Sequence, residues 1–317
     1  MTIHHRRAVW ALLLTTAFWA VSFPFMKALI QEEKRLVPEA TSWFCSAWIL
    51  GSRFTLGAFL LLPWMLVRRT WPNHREIRQG LVLAFWGGAG MWLQADGLAH
   101  TEASISAFLT QGYCVFLPLW AALRDRRRPG LRTIGATLMV MAGVAWLAGV
   151  DWSSLRMGRG EAETLVAAFL FTFQILALED PRYDGNHGGR VSFVMFSAVG
   201  LLYLVVAAIA SPAIPALWRA GASPQAAGMI SVIAVCCTLG AFLLMNLWQR
   251  HVTATEAGLI YACEPLFTAV YVLFMPGWLG AWTGNPYPNE MWTVSLIGGG
   301  GLITAANAWM QLGAGKK

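Results

Sequence analysis

The sequence predicts an all-α integral membrane protein with ten transmembrane helices arranged as two inverted five-helix repeats. Three observations carry that expectation. First, 57% of the 317 residues are hydrophobic and only 12% are charged, against about a quarter charged in a soluble domain. Second, the apolar residues fall in blocks of about 20, the length that crosses the hydrocarbon core of a bilayer, and short polar joints separate them. Third, Thr255-Glu256-Ala257 repeats Thr101-Glu102-Ala103, and each triplet opens an apolar stretch. Met91 and Leu93 before the first triplet recur as Met245 and Leu247 before the second.

Taken in order, the spans fall at 8–30, 41–67, 77–99, 101–123, 131–150, 161–178, 190–210, 226–250, 253–275 and 291–313. His4, His5, Arg6 and Arg7 precede a first span too long for a signal-peptide core, so it reads as a retained helix. Spans three and four, and spans eight and nine, have almost no joint between them and predict tight hairpins. Gly87, Gly88, Gly90 and the glycines at 298–301 predict close helix approach. The joint 276–290, rich in Gly, Pro and Trp, predicts an ordered or partly embedded outer loop. Alternate joints differ sharply in basic charge. One set holds Arg6, Arg7, Arg68, Arg69, Arg75, Arg78, the cluster from Arg124 to Arg132, Arg182, Arg190, Arg250, Lys316 and Lys317. The other holds Lys34, Arg35, Arg156, Arg159 and Arg219. The excess marks the cytoplasmic side, so both termini are expected in the cytoplasm and the spans in the inner (plasma) membrane. Five spans per repeat is an odd number, so the second repeat must lie upside down. The boundary falls at 151–160, giving units 1–150 and 151–317. Inverted repeats of this kind place a site near the midplane in many secondary transporters.

Several classes are excluded. The net charge of +7 sits at the ends of spans and forms no continuous patch, which argues against nucleic acid as a partner. Cys45, Cys114, Cys236, Cys237 and Cys263 lie inside apolar spans, odd in number and without metal-ligand spacing; they read as small buried apolar residues, with no metal. No H-E-x-x-H, P-loop or G-x-S-x-G motif occurs, so neither an enzyme, nor a cofactor, nor built-in ATP coupling is expected.

Some polar residues stand where an apolar span is costly to interrupt. Glu264 lies near the middle of 253–275 and is followed by Pro265. It would carry a proton or meet a substrate ammonium, or it is a structural partner of a neighbouring helix. Arg53, near the middle of its span, would hold a substrate carboxylate, or it is a strut between helices; the two are at similar depth and could pair with each other. Lys27 either snorkels to the interface or lines an outer vestibule, with Asp96 a candidate partner. Trp19, Trp92, Tyr113 and Tyr261 lie inside spans rather than in the interfacial belt, where they would wall a cavity or simply pack. Gln94, Gln111, Gln174, Asn246 and Asn307 default to interhelical hydrogen bonds, with Gln174 and Asn307 the leading cavity candidates. Glu102 and Glu256 begin helices, with Thr101 or Thr255 as caps.

Phe18-Trp19-Ala20-Val21-Ser22-Phe23-Pro24-Phe25-Met26-Lys27, Arg53 within Gly51-Ser52-Arg53-Phe54, the paired stretches 101–123 and 253–275, and Cys263-Glu264-Pro265 together resemble the EamA family of the drug/metabolite transporter superfamily. The resemblance covers nearly the whole chain, with the motifs in the family's order. It departs where the family often has Gly-Glu after the fourth and ninth spans: here stand Leu123-Arg124-Asp125-Arg126 and Pro276-Gly277-Trp278. The resemblance implies a carrier, since family members export amino acids and other metabolites or import metabolites. The expected function is therefore secondary-active export of amino acids or related small metabolites by alternating access. Its partners would be a small-molecule substrate, the lipid bilayer and protons. An uptake carrier of the same fold, and a non-transporting membrane receptor or enzyme, are the alternatives.

Overall fold

The computed structural model describes residues 3–100, 106, 109–126, 128–147, 158–289, 291 and 293–314. Glu102, most of the first turns of the fourth expected span and the side chain of Asn307 lie outside the described residues. All regular structure among the described residues is helical. The helices are α1 (Ile3–Leu36), α2 (Ser42–Arg68), α3 (His74–Leu98), α4 (Tyr113–Asp125), α5 (Leu131–Leu147), α6 (Arg159–Glu179), α7 (Gly188–Ala210), α8 (Ile214–Arg219), α9 (Pro224–His251), α10 (Ala254–Tyr261), α11 (Glu264–Tyr271), α12 (Met275–Thr283) and α13 (Val294–Ala314).

Local chemistry sets the ends. Thr41 Oγ1 caps α2 through the Phe44 N–H, and Asn73 and Glu76 form a reciprocal capping box at α3, satisfying donors that a helix leaves orphaned. Thr253, and not Thr255, caps α10 through the Glu256 N–H. The expected short joint between spans eight and nine is found, a single 3₁₀ turn at Gln249–His251. The ninth span, expected as one helix over 253–275, is instead divided. Pro265 lies in the first turn of α11, and without an N–H it cannot donate to the carbonyl a turn earlier, so the chain breaks between Tyr261 and Glu264. A second break precedes α12, and the two segments meet at 60°. The joint after the ninth span is ordered as expected: Asn289 accepts from the Gly277 N–H at 2.6 Å, and Asn285 reaches Glu32 of α1 at 3.2 Å.

Among the described residues five helices are long and apolar enough to cross a bilayer, namely α1, α2, α6, α7 and α9, with the bent run from α10 to α12 as a sixth. Shorter apolar helices fall within α4, α5 and α13. The chain is thus a multi-pass, all-helical membrane protein. Its packing follows a pattern. The main pairs are α2 with α7, α3 with α6, α5 with α13, and α1 with α9 and α11; α3 also meets α7, α2 meets α9, and α4 meets both α6 and α10. Close approach needs the expected glycines: a methyl group added at Gly87 or Gly90 of α3 would stand 2.5 or 2.7 Å from Gln174 or Phe171 of α6. The centre of the core is the aromatic cluster of Phe54, Phe196 and Phe242, from α2, α7 and α9. In the middle of α9, Ile233–Gly240 is π-helical, a local widening often seen at functional sites.

Candidate functional site

Faces of several helices converge on one central cavity of about 90 Å³, room for several ordered waters or a small solute group. The sequence spacing explains which residues reach it. Trp19, Ser22, Phe23 and Met26 share one face of α1; Met91, Gln94, Ala95 and Leu98 share one face of α3; Phe171, Gln174 and Ile175 share one face of α6. Each set follows the three- and four-residue spacing of a helix surface. Leu50 and Arg53 contribute from α2, Phe242 and Met245 from α9, Tyr113 from α4, and Tyr261 and Glu264 from the two sides of the break between α10 and α11.

Six of the expected residues are therefore brought together: Trp19, Arg53, Tyr113, Gln174, Tyr261 and Glu264. Two are not. Trp92 is one residue round from the cavity face of α3 and packs instead against Trp43 and Tyr203. Lys27 is exposed, with its ammonium 5.5 Å from the Tyr287 ring. Its expected partner Asp96 is held by Arg159, with His100 3.9 Å away.

The electrostatics of the cavity are unusual. Arg53 is only 5% exposed and Glu264 only 9%, yet they form no ion pair with each other or with any described residue. The guanidinium rests on two thioethers, donating to Met26 Sδ at 3.6 Å and Met91 Sδ at 3.5 Å, and sulfur is a weak acceptor. Among the described residues its Nε has no partner, and neither do Trp19 Nε1 and Gln174 Nε2. An ion kept from water without a partner costs on the order of several kcal/mol. A guanidinium and a carboxyl group left apart in one cavity are therefore poised for a solute, or for water, that satisfies both.

The cavity's floor is closed by a buried relay. The Tyr261 hydroxyl donates to Gln249 Oε1 at 2.9 Å, and Gln249 Nε2 donates to the Ile175 carbonyl at 2.7 Å. Gln249 was not among the expected site residues, because it precedes Arg250 at the end of a span and reads as an interfacial polar group. Its register with Phe242 and Met245 on one face of α9 is the signal that would have found it. The basic joints gather beyond this floor. Arg190 meets the fully buried Glu76 at 2.8 Å, Arg75 donates to the Arg182 carbonyl at 2.6 Å, and Arg250 donates to the Asn186 carbonyl at 3.1 Å. His5 contacts Glu256 at 2.9 Å.

A many-helix membrane protein with a cavity at its centre lined by buried ionisable groups has the architecture of a transporter, and the comparisons agree. Residues 6–149 match the model of the EamA-like transporter family. It is 26% identical over 229 residues to the uncharacterized transporter YcbK of Bacillus subtilis (strain 168), covering 70% of this chain and 68% of that protein. An alignment of that length must run through both halves. A crystal structure titled only as that of a protein superposes with a TM-score of 0.68 and 15% identity, over 97% of each chain; this likeness speaks for the fold alone.

Proposed function

We propose that the chain is a secondary-active carrier that exports amino acids or related small metabolites by alternating access, and that its central cavity is the solute site. One observation carries the reading: Arg53 and Glu264, a basic and an acidic group, both buried, line a single cavity without pairing. Two such groups on one cavity suit a zwitterion, with its carboxylate on the guanidinium fork and its ammonium on Glu264. Glu264 is also the group that would carry a coupled proton. The aromatic rings of Trp19, Tyr113 and Tyr261 would wall the side chain.

The same reading takes residues 1–150 and 151–317 as inverted five-helix units in the inner membrane, with both termini in the cytoplasm. The packing supports it. Exchanging each span with the one five places on turns α3–α6 into α9–α1, α3–α7 into α9–α2, and α6–α4 into α1–α11, while α2–α7, α5–α13 and α4–α10 map onto themselves. Cysteines placed at Ser154 and Ala314, with the native ones removed, should label from opposite sides with an impermeant reagent; labelling from one side would end the inverted model. Function is tested in proteoliposomes with a panel of amino acids, with and without a pH gradient. Glu264→Gln should abolish gradient-driven accumulation and leave solute exchange largely intact if Glu264 carries protons. Both should fall together if it only meets an ammonium. Unchanged transport and pH dependence would remove Glu264 from the mechanism.

A further inference from the structure

A second cavity, of about 300 Å³, lies at the arginine-rich end of the bundle and shares no described lining residue with the central one. Its deeper wall is apolar, made by Leu117, Pro118 and Ala121 of α4 and Leu176 of α6. Its mouth is polar, made by Arg124, Arg128 and the hydroxyl residues at the start of α10. Arg128 is exposed and makes no ion pair among the described residues. The one carboxylate in the lining, Glu179, is engaged, accepting the Ala254 N–H at 3.0 Å. Nearby Asp180 is held below the ordinary carboxylate range chiefly by its hydrogen bonds from Arg182, with Arg124 adding to the effect. The loop itself is the densest basic run in the chain, with Arg124, Arg126, Arg127, Arg128 and Arg132 against the single acid Asp125. It stands where the resemblance led one to expect Gly-Glu. Leu119, Leu123 and Leu131 are exposed beside the cavity, as bilayer-facing residues are.

We propose that this cavity binds one anionic phospholipid, with its headgroup on Arg124 and Arg128 and an acyl chain along Leu117, Pro118, Ala121 and Leu176. An apolar trough ending in guanidinium groups at the level where a span leaves the membrane matches both ends of such a lipid. Basic pockets between transmembrane helices on the cytoplasmic side recognise lipid headgroups in this way. The guanidinium fork accepts a phosphate diester through paired N–H donors, and a neutral zwitterionic lipid offers no net charge to hold.

The test is native mass spectrometry of the full-length, detergent-purified chain, titrated with phosphatidylglycerol, with phosphatidylcholine, and with glycerol 3-phosphate as a soluble headgroup. Phosphatidylglycerol should be retained in preference to phosphatidylcholine. Its apparent affinity should fall about 30-fold in the double variant Arg124→Gln, Arg128→Gln, as expected for two arginines at a membrane surface. Ala121→Trp, which fills the apolar wall and leaves both arginines in place, should also weaken it; this variant decides the matter if the double variant does not fold. Equal retention of phosphatidylcholine, or retention unaffected by either change in folded protein, would overturn the proposal. So would displacement by glycerol 3-phosphate at matched concentration, because the site would then be one for soluble phosphate. None of these readouts depends on transport.

Discussion

The two ends of the central cavity are held by different chemistry. At the arginine-rich end the links between helices are buried. Tyr261 and Gln249 tie α10 and α9 to the Ile175 carbonyl, Asn246 donates to Ser192 at 2.8 Å, Asn186 donates to Gln79 at 2.9 Å, and Arg190 meets Glu76. At the opposite end a buried contact, Ser106 with Thr164 at 3.3 Å, is joined by ion pairs that reach the surface, Arg159 with the buried Asp96 and the half-exposed pair of Arg219 with Glu39. A buried hydrogen-bonding group that loses its partner costs the full desolvation penalty, whereas exposed ion pairs are weakened by water and salt. The arginine-rich end is therefore fastened chiefly by buried bonds, while the opposite end relies in addition on pairs that water can reach. In the proposed cycle, the buried relay is the barrier that must be broken to admit solute from the arginine-rich side.

Three changes would break or sharpen this contrast. The largest effect is expected at the charged walls. Arg53→Lys keeps the charge but loses the fork, so solute binding should fall about 10- to 100-fold, the worth of a strong charge-assisted hydrogen bond. Monodispersity on gel filtration should be unchanged; its loss would instead favour a strut role for Arg53. Next is the relay. Gln249→Ala leaves the Tyr261 hydroxyl and the Ile175 carbonyl without their partners and should cost about 1–3 kcal/mol of stability, read by thermal or denaturant unfolding. It should also raise thiol labelling of a cysteine placed in the cavity from the arginine-rich side. Tyr261→Phe should show a weaker version of both effects. The smallest effect is expected at the opposite end, where the Arg219–Glu39 pair is about half exposed on both sides, so Arg219→Gln should leave the melting temperature within error. An Arg219 variant as destabilised as Gln249→Ala would erase the distinction.

Much of this was legible in the sequence. The helical class, the order of the spans and six cavity residues follow from hydropathy and from polar groups where apolar ones are expected. Glu264 and Arg53 declare themselves because charge inside a span needs a reason. What was not legible depends on rotation and on breaks. Trp92 and Met91 are adjacent, and only their azimuth separates packing from lining. Met26 and Met91 read as ordinary apolar residues until they meet a guanidinium. Pro265 signalled a disturbance, but the 60° turn leading to α12 depends on tertiary packing. Lys27 kept the exposed position that the snorkelling alternative describes.

The central claim is that a solute is held between Arg53 and Glu264. It is tested most directly by equilibrium binding of radiolabelled amino acids to the purified full chain, comparing wild type, Arg53→Lys and Glu264→Gln, with each amino acid's decarboxylated amine as an unlabelled competitor. The account predicts saturable binding of at least one amino acid. Binding should weaken in both variants, and the matching amine should compete poorly because it has no group for Arg53. Binding unchanged in both variants while they remain folded would contradict it and move the solute site elsewhere in the bundle.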